Sequence, residues 1–464
     1  MIFTPTWSPA NSEAEQVVDT IIDAIGIGIK GAVTRDKYKC VVSSFLVASS
    51  TDGGTVSVPQ KDKDYEHYGV GLKIIKQVVT GMVEQSYISK VAISGQRLFY
   101  ENDEGKVKSI GISTQYYIED KLLNLGVLEE ATWVETGRPS VLISKAETKG
   151  QTYNRRSLGK KRQKLTKKEM RNIFGRDLGT AVSGVSLLVK YWKGHPLYLP
   201  PAGNRAGRYA ASATRTFHNG RMDSGGRYYG GWSGVHSNTR LKGSIDGEAL
   251  VQIDLNASQP TLFSSLMGEV MEVGGSWEDL YSEMLRDLVI LDSKDTDQTR
   301  RNKMKQVTVE VIGTGNILKQ SPSPDSNVTW GKDDKVFIEL GHTPVISSEF
   351  NQYRQMLHHY VPALSKLDSS YYNGAGFISY HEAQVMQETL IALVKKEIVA
   401  YPIHDCLLVK KSNQYEAIEA YRKVIRSYIL RFNRFSRYNE IDITIPVSVE
   451  ESGKDKVRIA GCYN

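Results

Sequence analysis

The sequence predicts an α+β protein, with strands and amphipathic helices alternating from residue 246 to the C-terminus after a smaller α/β unit over residues 1–150. Three patterns carry this. Ala249–Ile253 is an apolar run of strand length that ends on Asp254 and leads into a helix with Leu262, Phe263, Leu266 and Met267 on its buried side. Two apolar runs flank His404 and Asp405, predicting a tight hairpin with Asp405 at its tip; Pro402 confines its first strand to an edge or a bulge. Between Gly71 and Tyr87, Ile75, Val78, Val79 and Met82 recur at helical spacing.

The first 150 residues read in order as a helix from Glu13 to Ile25, a β-rich stretch at Lys39–Val47, a turn at Thr51–Gly54, and the Gly71–Tyr87 helix. A hairpin around Glu101–Gly105, a second helix from Thr114 to Leu125 and a strand at Ser140–Ser144 follow. This succession fits a small winged-helix-like unit. Residues 151–245 form a basic linker followed by a Gly-, Arg- and Tyr-rich region over 200–245, too punctuated for a long helix. Gly26–Gly31 matches GxGxxG, but it follows a helical pattern and no helix evidently opens from it, a context that argues against a dinucleotide site. Walker A, GxSxG and HExxH elements are absent from the sequence.

At 464 residues, 40% hydrophobic and 24% charged, the chain has the composition of a soluble protein of two or three units. No apolar run reaches bilayer length, and the N-terminus lacks the pattern of a secretory signal. Cys40, Cys406 and Cys462 show no CxxC spacing, which argues against a disulfide framework or a zinc site and for a reducing, cytoplasmic location. The net charge of +7 suits a polyanionic partner. From Arg155 to Arg171 only Glu169 is acidic; this run either neutralises phosphates or is a solvated linker or helix face, and both readings stand.

Asp254 and Asp405 share one design, a carboxylate delivered at the end of a buried strand. Such a group is costly without compensation, and a divalent cation supplies it. Two of them suffice to clamp two Mg²⁺ ions about 3.5–4 Å apart. Ser258 reads as the cap of the following helix, with Pro260 in its first turn. The bland alternative is a capping Asp254 and a turn Asp405 unrelated in space.

Four segments, in order, resemble the family A DNA polymerases and the related single-subunit RNA polymerases of phages and mitochondria, over roughly residues 215–410. Asp223-Ser-Gly-Gly-Arg227-Tyr-Tyr is similar to the template-contacting Asp/Thr-x-x-Gly-Arg element. Asp254–Gly268 is similar to motif A. Arg300–Gly313, with Arg301 and Lys305 one helical turn apart and Met304, Val307 and Val311 on the packed face, is similar to motif B. Ile403-His404-Asp405-Cys406 is similar to motif C.

The resemblance implies a polymerase right hand: a palm with an antiparallel sheet, helical fingers at about residues 270–375 and a helical thumb. Residues 246–464 would form palm and fingers, residues 151–245 would include the template contact, and residues 1–150 would be winged-helix-like or thumb-related. It implies a compact, divergent member without an exonuclease domain, of the size found in phages, plasmids and other mobile elements. Asp254 and Asp405 would be the catalytic metal ligands for two Mg²⁺ ions, or Mn²⁺ in their place. Arg301, Lys305, Gln259 and Leu255 would bind the nucleotide; Asp223, Gly226, Arg227 and His404 would bind template and primer. Glu382, read as the start of a helix with Met386, Leu390, Leu393 and Val394 on its packed side, would face the substrate. Partners would be a DNA primer–template and nucleoside triphosphates, with no membrane.

The sequence departs from the family by lacking the motif B Tyr-Gly and the third acid of motif C. Gln259 and the length of motif A favour a DNA product, whereas Tyr228-Tyr229 and His-Asp-Cys favour RNA, and the balance leans to DNA. An RNA polymerase or primase, a non-catalytic nucleic-acid-binding replication protein on a polymerase scaffold, and a metal-dependent nuclease are the alternatives.

Overall fold

The computed structural model describes residues 3–463 apart from 27, 29–30, 50–54, 61–64, 66–67, 93–96, 102–106, 112–113, 127–131, 147–162, 202–206, 274–275, 287–295, 316–346, 368–374 and 436–442. Two compact units divide the chain, and both are discontinuous in sequence. The first comprises Met1–Leu142, Lys164–Arg215 and Tyr229–Ala249; the second comprises Ile143–Gln163, Thr216–Tyr228 and Leu250–Asn464.

In the first unit, helices Ser12–Ala24, Ala32–Ser49 and Leu72–Glu84 bury Val18, Ile21, Val41, Phe45, Ile75 and Val78 in one core. Asn11 caps the first helix by accepting from the Ala14 amide. The expected hairpin is present as Arg97–Glu101 paired antiparallel with Val107–Gly111. Two expectations are corrected. Lys39–Val47 is helical rather than β-rich, because Val41, Val42, Phe45 and Leu46 all enter the core from one helix and burial overrides β propensity. Thr114–Leu125 is not one helix: Thr114, Tyr116 and Ile118 alternate inward along a strand, and the helix begins at Asp120. A helix, Ala32–Ser49, opens after Gly26–Gly31, contrary to expectation, while a helix rather than a strand precedes the segment, as expected.

Residues 155–162 of the basic run lie outside the described residues. The rest of the run leads into the helix Lys167–Gly194, which Thr166 and Glu169 open with a reciprocal capping box.

The second unit is built on a five-stranded antiparallel sheet in the order Ala400–Ile403, Cys406–Lys410, Glu248–Leu255, Val447–Glu451, Val457–Ile459. Glu248–Leu255 is central, which explains its near-continuous burial. Pro402 lies on the edge strand, where its missing N–H costs no ladder bond. Helices Ser258–Leu266, Ala375–Val394 and Gln414–Phe435 pack on one another in this unit, and Asp297–Thr314 packs on Ser347–Tyr360. Met304, Val307 and Val311 are buried as their spacing predicts. Among the described residues no helix is long and apolar enough to cross a membrane.

Candidate metal centre

The register of the central sheet decides the site. Asp254 stands opposite Cys406 on one neighbour and Ser448 on the other. Asp405 immediately precedes Cys406, at the second position of a two-residue turn whose first residue, His404, has φ 56°. A positive φ at the first turn position is what a tight hairpin of this kind requires. Two carboxylates separated by 150 residues of sequence therefore reach the same end of the sheet. Donor atoms of Asp254, Asp405 and Cys406 all lie within 4.8 Å of one another.

Each acid is held by a different set of donors. The Cys406 thiol donates to Asp254 Oδ1 at 2.9 Å, and the Lys456 ammonium donates to Asp254 Oδ2 at 2.9 Å. The Ser258 hydroxyl lies 2.6 Å from Asp405 Oδ2 and 3.0 Å from Glu382 Oε1. Glu382, 2% exposed, receives the Arg227 guanidinium through Nε at 2.7 Å and through Nη2. Tyr421 donates to the Asp405 carbonyl at 3.0 Å, fixing the turn backbone.

The charge balance follows from these contacts. Burial, then the charges of Glu382 and Asp254, push the Asp405 carboxyl up to about 7. A hydroxyl has one proton and can donate to only one carboxylate at a time. Ser258 therefore bridges Asp405 and Glu382 best when Asp405 is protonated or its charge is met by a cation. Burial and the neighbouring acids also push the Cys406 thiol well above its usual range, so it remains a neutral donor to Asp254. Two carboxylates of hard oxygen, one of them 26% exposed, fit a divalent cation of the Mg²⁺ type. The protonated sulfur is a poor ligand for such an ion.

Two expected residues sit differently within their helices, and the others are placed as follows. Ser258 does not cap its helix: the cap is Ala257, in the left-handed region at φ 50°, with no side-chain cap bond, and the chain turn there aims Ser258 at the acids. Glu382 does not begin a helix; it lies mid-way along Ala375–Val394. Met386, Leu390 and Leu393 of that helix are buried, and Val394 is half-buried. Arg227 is engaged by Glu382. Gly225 and Gly226 have φ 79° and 85°, and a Cβ on Gly225 would collide with the His218 ring, so packing alone demands that glycine. Asp223 accepts from Arg221 Nε and Nη2, each at 2.6 Å. Leu255 is buried in the sheet opposite Val447, Gln259 is half-buried in the first turn of its helix, and Lys305 is exposed.

Arg301 ion-pairs with Asp279, the cap of the short helix Leu280–Met284, and its guanidinium carbon lies 5.7 Å from the centre of the Tyr281 ring. Burial raises the Tyr281 phenol pKa, the charge of Asp405 raises it further, Arg301 opposes, and Asp279 and Asp254 add to the rise. One phenol thus feels both the aspartate pair and the Arg301–Asp279 pair. Sequence reasoning missed Asp279, Tyr281, Lys456 and Arg458.

The fold and site define a paired-carboxylate centre at the end of an antiparallel sheet. No family model matches the chain, and no curated protein matches it. Among solved structures it is similar to one described as the POL domain of Pol1 from M. smegmatis in complex with DNA primer-template and dNTP, at 11% identity and TM-score 0.27. The alignment covers 91% of this chain and 64% of that one, so the chain spans less than two thirds of its length. A likeness at this TM-score establishes neither fold nor activity.

Proposed function

We propose that this chain is a template-directed nucleic-acid polymerase that extends a 3′-hydroxyl, with DNA as its product. The observation that carries the reading is the meeting of Asp254 and Asp405 within 4.8 Å, in the two segments that resemble motifs A and C. A chance resemblance would not require the two acids to share one end of one sheet.

In this reading Asp254 and Asp405 hold divalent metal. Bound there, Mg²⁺ supplies Lewis acidity to the attacking and leaving oxygens of phosphoryl transfer. Ser258 and Glu382 orient the Asp405 carboxylate, and the thiol of Cys406 orients Asp254. Arg301 and Lys305, on one helix, neutralise the triphosphate, which stabilises charge as the leaving group departs. Gln259 and Leu255 lie beside the nucleotide sugar, while His404, Asp223, Gly226 and Arg227 lie along primer and template. Residues 151–245 contribute the template contact, with phosphate neutralisation by the basic run, and residues 1–150 the thumb-related unit.

The experiment is incubation with a primed template, Mg²⁺ and either dNTPs or NTPs. Extension with dNTPs, lost in Asp254→Asn and Asp405→Asn, is the expected result. Extension with NTPs alone reassigns the product to RNA. Shortening of the primer makes the centre a nuclease, and binding with neither leaves a polymerase scaffold without catalysis.

A further inference from the structure

We infer that Lys456 is a triphosphate-binding residue that neutralises Asp254 until metal and nucleotide arrive; this rests on the polymerase reading above. Lys456 donates to Asp254 Oδ2 at 2.9 Å, so the ammonium sits on the same carboxylate that would hold a divalent cation. An ammonium and a divalent cation on one carboxylate repel each other strongly. Lys456 would therefore leave Asp254 once that carboxylate held a metal, and its long stem with three rotatable donors would let it follow the nearest new anion. In a nucleotidyl-transfer site that anion is the triphosphate.

Arg458, two residues on in the Val457–Ile459 strand that Lys456 immediately precedes, supports this. Arg458 Nη2 lies 3.5 Å from Asp279 Oδ2, the oxygen that also receives Arg301. One carboxylate serving two guanidiniums leaves cationic charge in excess. Arg458 is 42% exposed and Lys456 38% exposed, so both side chains can reach a ligand. Together with Arg301 they form a cationic cluster beside the aspartates. The C-terminal hairpin thus supplies phosphate contacts that motif B alone, lacking its usual Tyr-Gly, would have to carry.

The proposal makes two predictions of opposite sign for Lys456→Met. Without nucleotide, the variant has lost a competitor of the metal, so Mn²⁺ titrated alone and followed by paramagnetic resonance binds about three times more tightly. Binding of dNTP, measured by calorimetry with Ca²⁺ as the ion so that no turnover occurs, weakens about tenfold, as expected for losing one charge-assisted contact. Arg458→Met weakens dNTP binding with Mn²⁺ affinity unchanged, and Lys456→Arg resembles the wild type in both assays. Parallel weakening of Mn²⁺ and dNTP in Lys456→Met, or no change in either, overturns the proposal. Failure of the wild type to extend any primer overturns the polymerase reading instead, while the Mn²⁺ arm still reports on Lys456 and Asp254.

Discussion

At the scale of single residues, the site is organised by a buried chain of contacts from Arg227 through Glu382 and Ser258 to Asp405. Glu382 is almost fully enclosed, and Arg227 is the cation that meets its charge. Removing one member of such a pair strands the other. Arg227→Ala is expected to cost about 3 kcal/mol of stability, and the double variant Arg227→Ala/Glu382→Leu to recover most of it. Urea unfolding of the two single variants and the double variant measures the coupling. Additive losses would show that the pair contributes no energy as a unit. Asp254 and Asp405 were legible in the sequence because apolar runs of strand length delivered each acid at a fixed place. Ser258 was misread because a serine at a strand–helix junction is a good cap by local rules, and only the left-handed turn at Ala257 directs it elsewhere.

At the scale of elements, the helix Ala375–Val394 brings Glu382 to the Ser258 hydroxyl that also meets Asp405, and its packing against Gln414–Phe435 includes His381. The His381 imidazole bonds Tyr428 Oη at 2.7 Å and is ringed by Phe377, Tyr380, Tyr428 and Phe432. Burial pulls its pKa down to about 4, with the charge of Asp223 opposing. The unfolded chain binds this proton below about 6.5, whereas the folded chain refuses it until about 4. Stability from this residue is therefore full above pH 6.5 and is lost as the pH falls toward 4, by about 3 kcal/mol. Denaturation of the wild type and His381→Gln across that range tests it: the variant should lack this part of the acid destabilisation, and identical pH profiles would refute the assignment. Helix and strand identity was readable where periodicity and burial agree, as at Gly71–Tyr87. It was not readable at Lys39–Val47, where β-branched residues pack on a helix. Lys456 and Arg458 escaped notice because Lys456 precedes, and Arg458 lies in, the short strand Val457–Ile459, which has no apolar pattern.

At the scale of the whole molecule, two units of interleaved sequence share the chain, and the paired acids, Arg227, Arg301 and the C-terminal hairpin all belong to the second. No apolar pattern announces a chain that leaves and re-enters a unit, so the sequence was divided at 150 and 245 by composition alone. The functional account depends on the second unit holding divalent metal between its two sheet-borne aspartates. The most direct measurement is Mn²⁺ binding to the wild type, Asp254→Asn and Asp405→Asn at pH 7.5, by paramagnetic resonance with Mg²⁺ as competitor. Mg²⁺ is expected to displace Mn²⁺ from the wild type, and each substitution to weaken Mn²⁺ by about tenfold or more while the fold is retained. Equal Mn²⁺ affinity in all three proteins would contradict it.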